Sequence, residues 1–225
     1  MRPDASNASA PHKGALAIFI DYDGTITDVD TFDVLVRNAS GDALWEELDG
    51  ALVRGEVSLR EALRRQALTL TGTQLEALEF LSRVAIVDPT FTPFLATARA
   101  NGATATILSA GIGSLMRANL TRAGVPEIPI LANDVIYDPN GWVMTFRDAT
   151  DNGHDKAVHV RDAAARGERT VFVGDGLSDY AAAEVAHVRF AKKGRALERY
   201  LAERGLAFTT FARFDEIERA LFATG

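Results

Sequence analysis

Short unbroken apolar runs are the most regular feature of the chain. ALAIFI (Ala15–Ile20) stops at Asp21 and the turn-forming DYDG, TATIL (Thr104–Leu108) stops at Ser109, and TVFV (Thr170–Val173) stops at Gly174-Asp175. Runs this short, bounded by turn residues, are the pattern of strands buried on both faces. The second and third follow helical stretches that close on Asn101-Gly102 and Arg166-Gly167, glycine being the residue that most readily ends a helix. Strands alternating with helices predict βαβ units and a Rossmann-like parallel sheet, an α/β fold.

Between Asp30 and about Asp88 the periodicity changes to threes and fours, with capping boxes at Ser58…Glu61 and Thr73…Glu76. Residues 31–88 are therefore expected to form a helical cap, inserted into an α/β core of residues 15–30 and 89–225. Pro89 suits the first turn of the helix that returns to the core. A second insert is expected at Ile128–Phe146, where ILANDVIYD and WVMTF flank Pro139-Asn140-Gly141 and predict an antiparallel hairpin. Further helices are expected near Asp179–Ala186, Arg195–Arg204 and Phe214–Phe222, with a strand at Val188–Ala191. Residues 1–14, rich in Ser, Ala, Asn and Pro, predict a flexible lead-in.

The 225 residues are 47% hydrophobic and 24% charged, ordinary globular values that exclude a disordered tail. A net charge of −7 without a long Lys/Arg run argues against a nucleic-acid partner. Cysteine is absent, which removes disulfide scaffolds, thiolate zinc sites and cysteine nucleophiles. No His pair coincides with a carboxylate ligand pattern, which argues against zinc altogether. No apolar run approaches the ~20 residues of a membrane span, and the first residues contain no apolar signal region. A cytoplasmic protein without a membrane partner is the expectation; oligomeric state is not legible.

Ligand crevices of open parallel sheets lie beyond the carboxyl ends of the strands. Three runs end there in polar residues: Asp21-Tyr22-Asp23-Gly24-Thr25, Ser109-Ala110-Gly111 and Gly174-Asp175-Gly176-Leu177-Ser178-Asp179. Four carboxylates and a hydroxyl then converge, an arrangement that needs a cation or basic side chain among them. Lys156 opens a predicted helix over Lys156–Arg166, where the helix dipole disfavours a cation by ~0.3–1 kcal/mol. By position alone it is as readily a solvated lysine as a catalytic one.

DYDGT, the serine of ILSAG, Lys156 and GDGLSD, in this order, resemble the four motifs of the haloacid dehalogenase superfamily of phosphotransferases, over about residues 15–192. A helical cap after the first motif is similar to the phosphoserine phosphatase type. The tail VRFAKKGRALERYLAERGLAFTTFARFDEI resembles the methylthiopentenyl-phosphate phosphatases. The resemblance implies a phosphatase acting on a small phosphorylated metabolite, with Asp21 as nucleophile forming an aspartyl-phosphate. It implies Mg²⁺ held by the Asp21 and Asp175 carboxylates and the Asp23 backbone carbonyl. Asp23 would act as general acid and then base. Ser109 and backbone N–H groups at the start of the next helix, around Ala110 and Gly111, would hold the phosphoryl oxygens. Gly24 would permit close backbone approach in its turn. Lys156 becomes the cation balancing phosphate and Asp21, and Asp179 the group orienting Lys156 rather than a direct metal ligand.

Specificity candidates follow from the same resemblance. Asp30, nine residues after Asp21, falls where phosphoserine phosphatases place a glutamate against the substrate amine. Gln66 aligns with their carboxylate-clamping arginine, and a shift of one residue would put Arg65 there instead. An amide cannot replace the bidentate guanidinium–carboxylate pair. Arg60, Arg64 and Arg65 otherwise read as a solvated helix face. His154 and His159 are expected at the surface or behind the site, and Trp45 and Trp142 are expected to pack, with Trp45, from its place in the cap, also able to touch the substrate. A phosphomutase of the same fold, needing a bisphosphate activator, shares the motif residues; a dehalogenase does not need Asp23.

Overall fold

A computed structural model describes residues 14–223, so the expected lead-in falls, apart from Gly14, outside the described residues. β1 (Leu16–Ile20), β2 (Thr104–Ile112), β3 (Ile130–Ile136), β4 (Val143–Thr145), β5 (Arg169–Gly174), β6 (Val188–Lys192) and β7 (Thr209–Phe211) form one sheet. The order is β4-β3-β2-β1-β5-β6-β7. Every pairing is parallel except that of β3 with β4. β1 is the central strand, with Ile18 opposite Ala105 of β2 and Val171 of β5.

Alternation along β1 sorts its side chains onto two faces. Ile18 and Ile20 join one apolar cluster with α5 (Phe91–Ala100), α6 (Gly113–Arg122) and α10 (Phe214–Phe222). Ala17 and Phe19 join another with α7 (Lys156–Ala165), α8 (Tyr180–Val185) and α9 (Ala196–Glu203). Helices on both faces of a parallel sheet are the α/β architecture that the apolar runs predict.

Three sequence expectations change. β2 does not stop at Ser109 but continues through Ile112, with a register shift between Ser109 and Ile112. Asn133 Nδ2 donates to the Ala110 carbonyl at 2.7 Å, holding the small residues in the strand. Ala110 and Gly111 therefore belong to strand backbone, and the helix opens only at Gly113. The hairpin β3–β4 is antiparallel as expected, yet β3 is itself a parallel member of the sheet rather than an insert. β7, three residues with a single buried side chain, carries too short a pattern to be read from sequence.

Between β1 and α5 lie α1 (Thr31–Ser40), α2 (Asp42–Val53), α3 (Leu59–Ala67) and α4 (Gln74–Val84). Thr73 and Glu76 form the expected capping box. Ser58 Oγ accepts from Glu61 N at 3.2 Å, but the Glu61 carboxylate turns outward to Arg64 and Arg65, so that box is half made. The apolar faces of α1, α3 and α4 bury Phe32, Leu35, Leu63 and Leu81 together with Trp142 and Met144 of the hairpin. Trp142 Nε1 donates to the Gly72 carbonyl at 3.0 Å, pinning the hairpin to the helices. The two chain crossings pair at Thr27 and Val87.

The last helix docks through aromatics: the Phe214 ring centroid lies 4.8 Å from Phe91 and 5.3 Å from Phe94. Phe214→Ala is expected to destabilise the protein by about 3–5 kcal/mol, read as a lowered urea midpoint. Val53→Ala, at a position 72% exposed, should leave that midpoint nearly unmoved.

Candidate active site

Asp21 follows β1, and its backbone N–H donates to the Val173 carbonyl at 2.9 Å, which keeps it in line with the sheet. Lys156, the first residue of α7, reaches it from the neighbouring face. Its Nζ donates to Asp21 Oδ1 at 2.6 Å, Asp179 Oδ1 at 2.7 Å and Ser178 Oγ at 3.0 Å. Lys156 is 2% exposed and Asp179 0%, so the solvated alternative for the lysine is excluded. Asp155 caps α7 by accepting from Ala157 N, supplying the acid that this end of the helix favours. Asp179 Oδ2 accepts the N–H groups of Asp175 and Gly176 at 2.9 and 3.0 Å. One carboxylate thus orients both the lysine and the loop carrying Asp175.

Asp23 Oδ1 accepts from Thr31 N at 2.9 Å and from the Thr31 hydroxyl, while its Oδ2 accepts from Ser109 Oγ at 3.3 Å. Thr31 carried no sequence signal beyond its place at the start of α1. Gly24 has φ +72°, and a Cβ there would run into the Asp175 carboxylate. A Cβ on Gly111 would strike Asp23 Oδ2. The Gly111 N–H, expected to face phosphate, donates to Ser109 Oγ at 2.9 Å and so orients that hydroxyl.

His154 is buried behind the site, the second of the two places the sequence offered for it. Its Nδ1 lies 2.8 Å from the Ser109 carbonyl. A carbonyl only accepts, so Nδ1 carries the proton, and Nε2 accepts from His159 Nε2 at 3.1 Å. The histidine holds the strand end that presents Ser109.

Burial pushes Asp21 well above the usual carboxylate range, and Asp179 adds to this while Lys156 opposes it. Asp175 is pushed up to about 7 by burial and then by Asp179. Asp23 is also raised by burial, against the hydrogen bonds from Thr31. For Lys156 burial works against the charge, and Asp179 and Asp21 outweigh it, so its pKa lies above the ordinary lysine value. The site thus holds more carboxylates than its one buried lysine can balance. Carboxylate oxygens of Asp21, Asp175 and Asp179 lie within 4.8 Å of one another. An all-oxygen donor set with uncompensated charge fits a hard divalent cation such as Mg²⁺.

Above these groups opens a cavity of about 270 Å³, floored by Asp21, Asp23, Ser109 and Asp175 and walled by residues of α1, α2 and α3. Asp30 lines it while capping α1 through Phe32 N and Asp33 N, both at 2.9 Å. Gln66 lines it too, at 6% exposure. Arg65 does not: it is half exposed and paired with Glu61 at 2.7 Å, so the shifted alignment is set aside. Arg60 is not a free solvated side chain, since Nη1 donates to the Asp148 carbonyl and the guanidinium stacks 4.2 Å from the Phe146 ring centroid. Trp142 packs as expected, and Trp45 lines the cavity, the alternative its place in the cap allowed.

A parallel α/β sheet with carboxylates, serine and a buried lysine gathered at its carboxyl edge defines an enzyme working at strand ends. The family model of the haloacid dehalogenase-like hydrolases matches residues 18–184, and the chain belongs to that family. It is 33% identical to Pdp3-interacting factor 1 of Schizosaccharomyces pombe, over 93% of this chain and 96% of that protein. It is 26% identical to polyol phosphate phosphatase PYP1 of Saccharomyces cerevisiae, covering 89% and 90%. It is 25% identical to 2-hydroxy-3-keto-5-methylthiopentenyl-1-phosphate phosphatase of Brevibacillus brevis, covering 92% and 95%. Among solved structures, a substrate-bound phosphoserine phosphatase shares the fold with a TM-score of 0.71 at 17% identity, covering 95% of this chain and all (100%) of that one. No helix among the described residues is long and apolar enough to cross a membrane.

Burial lowers the His154 pKa to about 4, with Lys156 and His159 adding to the effect against the Ser109 carbonyl. As pH falls from about 6.5 toward 4, the unfolded chain takes up a proton that folded His154 refuses, so stability is lost across that window. His154→Gln removes this contribution. The urea midpoint of the variant should therefore fall less than that of the wild type between neutral pH and pH about 4.5. Parallel midpoint curves would show that His154 is not held neutral.

Proposed function

We propose that the protein is a Mg²⁺-dependent phosphomonoesterase that cleaves a small phosphorylated metabolite through an aspartyl-phosphate on Asp21. The observation that carries this is the buried Lys156 clasped to Asp21 Oδ1 at 2.6 Å, which leaves the second Asp21 oxygen for attack at the cavity floor. The relatives named as phosphatases of polyol phosphate and of a methylthiopentenyl phosphate support the reaction class. Residues 31–88 act as the cap that selects the ester, and residues 15–30 and 89–225 as the core that cleaves it.

The free oxygen of Asp21 attacks phosphorus in line with the leaving alkoxide, forming the carboxyl–phosphate bond as the ester bond breaks. Lys156 counters the charge gathered by Asp21 and the phosphoryl group. Ser109 Oγ donates to a phosphoryl oxygen, aimed by the Gly111 N–H and by His154 behind it. Asp23, kept protonated more readily by its burial, gives its proton to the leaving oxygen and takes one from the water that hydrolyses the intermediate. The carboxylates of Asp21 and Asp175 and the backbone carbonyl of Asp23 would hold Mg²⁺, which when bound supplies positive charge to the transferring phosphoryl oxygens.

Asp21→Asn is expected to reduce Mg²⁺-dependent phosphate release to background while the circular dichroism spectrum is unchanged. Full activity in that variant would exclude the mechanism. EDTA should abolish turnover of the wild type, and added Mg²⁺ should restore it.

Asp23→Asn should slow esters of aliphatic alcohols by about a hundredfold or more, and p-nitrophenyl phosphate much less, because an aryl oxide leaves without a proton. Equal losses on the two would confine Asp23 to the hydrolysis step.

A further inference from the structure

The helical wall of the cavity is apolar along Phe32, Leu48, Leu52, Leu59 and Leu63, and most of its polar side chains are carboxylates. Asp30, Asp33 and Asp49 line it beside Trp45 and Gln66. The arginines of the same helices stand outside the lining: Arg37, over the Trp45 ring at 5.0 Å, pairs with Asp42, and Arg64 and Arg65 pair with Glu61. Among the described residues Arg195 is the one cation in the lining. It comes from the core, beside Asp175, and its Nη2 donates to the Asp28 carbonyl at 3.2 Å. Burial pushes Asp33 up to about 6, and the Trp45 side chain opposes this by favouring the ionised form. Asp30 is exposed and lies within reach of the charges of Asp33 and Asp23, a repulsion that another anion would deepen.

Gln66 is an independent observation. It is 6% exposed, it lines the cavity, and its backbone carbonyl is taken by Thr69 at 2.7 Å. Among the described residues its side-chain amide has no hydrogen-bond partner. The amide is not sealed from solvent: it opens onto the cavity, where an entering ligand replaces water as its partner. An amide offers both donor and acceptor, whereas ionised carboxylates offer acceptors alone.

We infer that Gln66 and the wall of Asp30, Asp33 and Asp49 select phosphate monoesters whose organic part is free of anionic groups and rich in hydrogen-bond donors, and reject those that carry a carboxylate. The donors are hydroxyls of a short polyol or the ammonium of an amino alcohol, the same chemistry from two sources. The inference rests on the phosphatase function proposed above. Specificity here is a difference between two affinities, and like charge against the wrong ligand supplies most of it.

Two matched pairs test it by kcat/KM for phosphate release: glycerol phosphate against phosphoglycerate, and ethanolamine phosphate against phosphoserine. Within each pair the second member differs by a carboxylate. The wild type is expected to prefer the first member of each pair by about tenfold or more. Gln66→Glu, close in volume, should widen both ratios, and Gln66→Arg should narrow them by offering a carboxylate its bidentate partner. Ratios within one variant cancel any loss of folded enzyme. The faster of glycerol phosphate and ethanolamine phosphate identifies the source of the donors, and either result supports the inference. Wild-type ratios near one, or ratios unmoved in both variants, would overturn it while leaving the phosphatase standing. Failure of the phosphatase function itself would appear differently, as no Asp21-dependent release from any of these esters or from p-nitrophenyl phosphate.

Discussion

Lys156 keeps its charge at 2% exposure because Asp21 and Asp179 close on its ammonium at 2.6 and 2.7 Å. Each partner is buried as deeply as the lysine, so none of the three is solvated well enough to stand alone. Breaking such a buried pair by removing one partner costs about 3–5 kcal/mol, since an uncompensated charge remains. The same contacts fix geometry. α7 brings the lysine, the end of β1 brings Asp21, and Asp179 follows β5, so the ion pairs lock three elements together at the sheet edge. Asp179 then spends its second oxygen on the N–H groups of Asp175 and Gly176, which makes the position of Asp175 a consequence of the lysine network.

That network also explains the electrostatic state of the site. One ammonium serves two carboxylates, and Asp23 and Asp175 lie nearby with raised pKa values. Serine, threonine and backbone N–H groups satisfy hydrogen bonds but bring no formal charge. The remaining imbalance is what an oxygen-bound cation relieves, and burial strengthens its attraction because there is little water to screen it. Asp23 differs from Asp21 in its partners, Thr31 and Ser109 rather than lysine. Two carboxylates two residues apart therefore face different chemistry, one held toward an ammonium and one toward hydroxyls.

Much of this was legible in the chain because strand ends are marked by abrupt changes in polarity. The runs at Ala15–Ile20, Thr104–Leu108 and Thr170–Val173 place their terminal polar residues on one edge once the sheet is parallel. The continuation of β2 through Ala110 and Gly111 was not legible, since small residues carry no apolar signal and the pairing depends on Asn133, twenty-odd residues away. The half-made box at Ser58 turned on competition: Glu61 finds two guanidinium groups on its own helix, and charge-assisted pairs outweigh one backbone N–H. His154 was named by its place beside Lys156, but its contact was not legible, for the same reason as that of Asn133. Its partner, the Ser109 carbonyl, is 45 residues distant and leaves no mark on local composition.

The cavity is over-determined at its floor and under-determined at its wall. Asp21, Asp23, Ser109, Lys156 and Asp179 each have protein hydrogen-bond partners, so their orientations are set before any ligand arrives. Gln66 is positioned by the packing of α3 against the hairpin, where Leu63 and Ala67 share a cluster with Trp142, but among the described residues its amide has no hydrogen-bond partner. Asp30 lines the cleft with one oxygen, Oδ1, held by the α1 N–H groups. A floor completed by the protein suits a reaction whose phosphoryl geometry is the same for every ester. A wall whose polar groups await partners suits discrimination among organic parts that differ. The Thr27–Val87 pairing joins the two, and the hairpin core beneath α3 and α4 keeps the wall in register with the strand ends. On the proposed function, replacing side chains on the wall changes which ester is bound while the lysine network that places Asp21 stays intact.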